Sequence, residues 1–174
     1  MRNHLIMSGV LALGLWPATT LAQAPAPASP NKQVVQDALD AIQRQDYNRF
    51  RELTLEDAVI HVTGAPEPLK IDRAIDLLKS HWKAFPDTSY ILDQLLAEGD
   101  QLAARLTYQC THRGTYEGVP ATDHWIAYSG VHFFRLEQGR ICEWWIMNDH
   151  LGRMQQLGSR LALPDPPKPP PLTE

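Results

Sequence analysis

The sequence predicts an α+β fold in which a curved antiparallel sheet packs against N-terminal helices, forming a cone with an internal pocket. Three observations carry that expectation. Apolar residues recur at helical spacing before Pro86 and alternate as in strands after it. Turn signals at Glu98-Gly99-Asp100, Glu117 to Pro120 and Gln138-Gly139 divide the second half into a strand meander. Helices that precede a run of strands gather on one face of the sheet.

Taken in order, Asn31 is placed to cap a helix running to about Asp46, because Val34, Val35, Ala38, Leu39 and Ile42 fall on one face. Tyr47, Phe50 and Leu53 mark a second, short helix. Ala58 to Val62 reads as a strand, and Gly64 to Pro68 as a loop. Ile71, Ala74, Ile75, Leu78, His81 and Trp82 form the apolar stripe of another long helix, stopped by Pro86. The expected strands are Ser89 to Leu96, Leu102 to Tyr116, Trp125 to Leu136 and Ile141 to Asp149, with a helical turn from Leu151 to Leu157. A curved sheet closed by helices leaves a hollow that suits a small molecule.

Both ends read differently. Residues 1–22 have the pattern of a signal peptide. Arg2 and His4 precede an apolar run from Leu5 to Trp16, too short to span a membrane, and small residues follow up to a cut after Ala22. An uncleaved membrane anchor or a cytoplasmic N-terminal helix is the alternative. Residues 23–30 form an Ala/Pro-rich linker, 31–158 the folded domain, and 159–174 a Pro-rich disordered tail. The expected location is periplasmic or secreted, with no membrane association after cleavage. Net charge is −4 for the whole chain, which argues against a nucleic-acid partner. Five Trp and well-spread aliphatics exclude a disordered acidic chain. No glycine-rich phosphate loop and no Gly-x-Ser-x-Gly elbow occur, so neither nucleotide use nor serine-hydrolase chemistry is expected. If the last three strands form a meander, Cys110 and Cys142 lie two strands, roughly 9.6 Å, apart. That exceeds the ~7 Å limit for a disulfide, so both are expected as free, buried thiols.

A series of short motifs then runs through the second half of the chain. It comprises Ala84-Phe85-Pro86-Asp87, Glu98-Gly99-Asp100 with Ala103-Ala104-Arg105, Thr111-His112-Arg113-Gly114, Gly118-Val119-Pro120, Phe134-Arg135-Leu136, Gly139-Arg140-Ile141, Glu143, Trp145, Asp149 and Gln155-Gln156-Leu157-Gly158. In this order and spacing, residues 31–158 resemble the SnoaL-like polyketide cyclase (ester cyclase) family of the nuclear-transport-factor-2-like superfamily. The resemblance implies the cone fold, no organic cofactor, aldol ring closure driven by one aspartate, and a homodimer paired through the outer sheet face. Three positions depart from the family pattern. Ala121-Thr122-Asp123 stands where Pro-Thr-Gly is usual, Trp144 where His is frequent, and Cys110 where Gly precedes the Thr-His pair.

Asp149 is the leading catalytic candidate. Strand alternation would set it on one face with Glu143, Trp145 and Met147, where poor hydration raises a carboxyl pKa toward neutrality. It also matches the family's catalytic aspartate. Its alternative role is to cap the Leu151 segment. His112 and His132 point inward if Arg105 and Arg135 mark the outer face. There they would orient Asp149 or bond a substrate carbonyl, or else serve as satisfied core histidines. His61, at a position where the family often has His, is a pocket-lining candidate. Trp145, Met147, Tyr108, Trp82 and Trp125 would complete a substrate surface for an apolar ligand, unless they simply pack the core. A metal site from His61, His112, His132 and Asp149 is conceivable, but no ligand-spacing motif occurs and no metal is expected.

Two classes of function follow. One is cofactor-independent acid/base chemistry (cyclisation, isomerisation or lyase action) on a small hydrophobic carbonyl compound. The other is a non-catalytic periplasmic binding module with the same cone. A hydrolase or dehydratase using a pocket water is a further alternative.

Overall fold

The two periodicities translate directly into elements. The computed structural model describes residues 29–159. The leader, most of the linker and the proline tail lie outside the described residues.

Helix α1 (Pro30–Gln43) buries Val35, Ala38, Leu39 and Ala41. Pro30 starts it, since its fixed φ suits a first helical turn. Asn31 does not cap this helix; its amide donates instead to Gly99 O at 2.9 Å. Asp46 caps α2 (Tyr47–Glu52) by accepting from the Arg49 N–H. Strand β1 (Thr54–Val62) leads to α3 (Ile71–Ala84), which ends just before Pro86. Then come β2 (Ser89–Glu98), β3 (Gln101–Thr111), β4 (Trp125–Glu137), β5 (Arg140–Asn148) and the closing α4 (His150–Gln156).

The sheet order is β1-β5-β4-β3-β2. Strands β2 to β5 form the expected antiparallel meander, whereas β1 pairs with β5 in parallel. The sheet is therefore mixed at one edge. No hairpin can join parallel neighbours, and the chain passes through α3 and the whole meander between them. Strand β3 stops at Thr111 rather than Tyr116, because the segment that follows leaves the sheet to meet α3. There the N–H groups of Arg113 and Gly114 both donate to Ala84 O. Cys110 and Cys142 sit on β3 and β5 with β4 between them, buried and unbridged.

Directly opposed residues share a face. The rows Leu102–Phe134–Trp144, Ala104–His132–Ile146 and Leu106–Gly130–Asn148 therefore line the inner surface. This side packs on the helices through Phe50, Ile60, Leu106, Phe134 and Trp144. A second cluster (Ala84, Phe85, Cys110, Ile126, Tyr128 and Leu157) fills the end closed by α4. Among the described residues no helix is long and apolar enough to cross a membrane.

The β5 alternation is as expected, but its sides are reversed. Trp144, Ile146 and Asn148 face in, so Glu143, Trp145 and Met147 face out. Pairing with β4 decides this, because Trp144 opposes Phe134 of the core.

Candidate functional site

The inner surface carries one compact polar group, and a missing side chain makes room for it. A Cβ on Gly130 would collide with Asn148 Oδ1 and press on the Tyr108 ring. Glycine in a strand interior marks such close approaches. In the space it leaves, His132 Nε2 lies 3.2 Å from Asn148 Oδ1 and 3.3 Å from the Tyr108 hydroxyl.

His132 is 2% exposed. Burial pulls its pKa down to about 4, and the Asn148 contact opposes this only in part. The imidazole is therefore neutral near pH 7. When Nε2–H donates to Asn148 Oδ1, Nδ1 carries a free lone pair. Nδ1 is buried and lacks a hydrogen-bond partner, as does Trp144 Nε1 on the neighbouring ring, 5.5 Å away between centroids. Buried polar atoms are seldom left so. Burial also holds the Tyr108 hydroxyl well above its usual pKa, so it stays protonated. Rings line the rest of the interior. Phe134 stacks on Trp144 at 5.4 Å, Phe50 meets it edge-on at 5.9 Å, and Tyr108 stacks on Tyr128 at 5.0 Å.

The other candidates are distributed elsewhere. Asp149 is exposed and caps α4, its Oδ1 accepting from the Gly152 N–H at 2.8 Å. The strand has ended by then, so Asp149 does not join Trp145 and Met147 in a dry pocket. His112 is fully buried but lies beyond the end of β3, with Nδ1 3.1 Å from Thr122 Oγ1 and its ring stacked on Phe85. His61 is on the outer face, stacked on Trp145 at 5.0 Å with Nε2 3.1 Å from Glu143 Oε1. The other oxygen of Glu143 accepts from Arg135 Nε at 3.1 Å. Partial burial pushes the Glu143 pKa up, but these two partners outweigh it and leave the carboxyl below its usual range. Met147 and Trp125 are 42% and 62% exposed. Trp82 is half-buried, edge-on to His81.

Of the residues singled out from sequence, Tyr108 and His132 come together on the inner face and His61 and Trp145 on the outer face, and the rest stand apart. Asn148 and Gly130 were missed. A lone glycine in the middle of a strand was the available signal for both. Among the described residues no group of three His, Cys, Asp or Glu is gathered where it could hold a metal ion. His61 in particular is on the opposite side of the sheet from His132.

A family model, SnoaL-like polyketide cyclase, matches residues 32–157. No curated protein matches the chain significantly. Among solved structures, IdmH from Streptomyces antibioticus, provisionally assigned as a polyketide cyclase, is 26% identical with a TM-score of 0.68, covering 74% of this chain and 99% of that one. AclR from Streptomyces galilaeus, provisionally a hydroxylase, is 24% identical with a TM-score of 0.68, covering 78% and 85%. A SnoaL-like polyketide cyclase from Agrobacterium tumefaciens is 21% identical with a TM-score of 0.62, covering 74% and 98%.

Proposed function

The chain belongs to the SnoaL-like polyketide cyclase family, and from that premise we propose cofactor-independent acid/base chemistry on a small hydrophobic carbonyl compound held inside the cone. The observation that carries this reading is the neutral, buried His132, with one nitrogen held by Asn148 and the other unpartnered. In this reading Nδ1 takes a proton from carbon activated by a neighbouring carbonyl. The Nε2–H bond to Asn148 fixes the tautomer that leaves Nδ1 basic. The enolate so formed is an anion beside a new imidazolium, and their attraction offsets the low basicity that burial gives His132. The indole N–H of Trp144 is the free donor for the enolate oxygen. When the carbanion attacks a second carbonyl or expels a leaving group, the imidazolium returns its proton to the oxygen generated. Asp149 caps α4 and acts outside this group.

A non-catalytic binding role is the second reading, favoured by the ring-lined interior and by the engagement of Asp149 in the helix cap. Replacing His132 by Gln separates the two. The first reading expects turnover to fall by about 10²- to 10⁴-fold with ligand affinity largely kept. A change in affinity alone supports the second. The ligand for that test comes from a thermal-shift screen of carbonyl compounds, since binding to the folded state raises Tm.

We also propose export, supported by the leader pattern in residues 1–22, with the mature N-terminus at Gln23 as the measurable consequence. Pairing of two copies through the outer sheet face completes the proposal. The support is an apolar row across the strands, in which Leu96, Ala103, Phe133 and Trp145 oppose one another in register.

A further inference from the structure

Arg153 of α4 is the one charged side chain among the buried residues described other than histidine, at 7% exposure. No carboxylate among the described residues lies within ion-pair distance of it. Its guanidinium carbon sits 4.6 Å from the centre of the Tyr116 ring and 5.1 Å from that of Tyr128. The rings attract the charge, and the Tyr128 hydroxyl lies close enough for Arg153 to oppose the burial that raises its pKa. One hydrogen bond is made, from Nη2 to His150 Nδ1 at 3.1 Å. His150 in turn places Nε2 3.3 Å from Glu117 Oε2. The Arg153 Nε–H is buried and has no partner.

A buried cation is stable when a carboxylate or comparable acceptor answers it. Here the neighbouring groups are tyrosines and histidines, and none is a carboxylate. His81 faces the same charge and is kept neutral by burial and by Arg153 itself, while its Nε2 lies 3.2 Å from Thr88 Oγ1. The missing partner is thus an acceptor from outside the described residues, and the walls around it are aromatic. Behind Tyr116, the fully buried Phe85 packs edge-on against it at 5.0 Å.

We propose that Arg153 is the anchor of a carboxylate-binding site between α4 and the 112–124 loop, suited to a small aromatic carboxylate whose oxygen accepts from Nε–H and whose ring lies against Tyr116. The planar guanidinium matches a carboxylate edge. Glu117 and His150, each about half exposed, form the entrance. The Glu117 charge there opposes an incoming anion and disfavours a multiply charged one such as phosphate. The site stands on Arg153 alone and does not rest on the acid/base reading of His132.

Benzoate and its uncharged analogue benzamide are the probes. Benzoate should raise Tm and move the Arg153 Nε–H resonance of the full chain, while benzamide does neither. Glu117→Gln should tighten benzoate binding several-fold, and Arg153→Met should abolish it. Equal responses to benzamide and benzoate, or benzoate binding that persists in Arg153→Met, would overturn the proposal. If Arg153→Met does not fold, the resonance in the unmodified protein decides: movement with benzoate alone supports the site, and none sinks it.

Discussion

His81 and His132 are both held neutral, each with its pKa pulled down from 6.5 to about 4, chiefly by burial. Between those values the unfolded chain binds protons that the folded chain refuses. Stability therefore rises with pH across that window: it is undiminished above about pH 6.5 and falls progressively toward pH 4. Each histidine contributes on the order of 3 kcal/mol to that loss, at ~1.4 kcal/mol per pKa unit. Urea midpoints at pH 7 and pH 4 should differ accordingly, and His81→Gln or His132→Gln should flatten the dependence. Gly130 offers a second test at this scale. Gly130→Ala drives a methyl group into Asn148 and Tyr108. A cost of about 1–3 kcal/mol is expected from overpacking, together with a further fall in the His132 pKa as the Asn148 contact that raises it is displaced, both measurable by chemical denaturation and NMR titration.

Among the elements, α4 depends on the Asp149 cap. Asp149→Ala should cost about 1 kcal/mol in unfolding free energy, whereas Asp149→Asn, which caps nearly as well, should be close to silent. Neither change should reproduce the loss expected for His132→Gln; a turnover defect as large in Asp149→Asn would return Asp149 to the catalytic group. The helices were legible because each has an apolar stripe and a stop signal, as with Ile71, Ala74 and Ile75 ahead of Pro86. The end of β3 was not. Alternation continues past Thr111, but a Cβ on Gly114 would strike Lys83 O and Ala84, so the backbone there turns to lie against α3. That contact joins residues about 30 positions apart, beyond the reach of any local pattern.

Over the whole molecule, the outer sheet face presents its apolar row toward solvent, with Phe133 44% exposed. The row is bordered by the Arg135–Glu143–His61 chain of contacts. Phe133→Glu should convert a dimer into a monomer by sedimentation or light scattering while leaving the far-UV circular dichroism unchanged. A wild-type protein already monomeric at high concentration would rule out the pairing. Residues 1–22 make a separate prediction at this scale, that N-terminal sequencing of the mature protein begins at Gln23.

The element order, the α+β class, the family and the separation of the two cysteines could all be read from the linear chain. They depend on spacings of two to four residues, or on motifs in series, which the chain carries within itself. Which side of β5 faces the helices was settled only by its pairing with β4 and β1. A strand alternates whichever way it faces, and reversal exchanges every side chain between core and solvent. For the same reason Asn148 rather than Asp149 meets His132, and Arg153 comes to rest between two tyrosines. Those positions arise where distant segments pack, and only the folded chain brings such segments together.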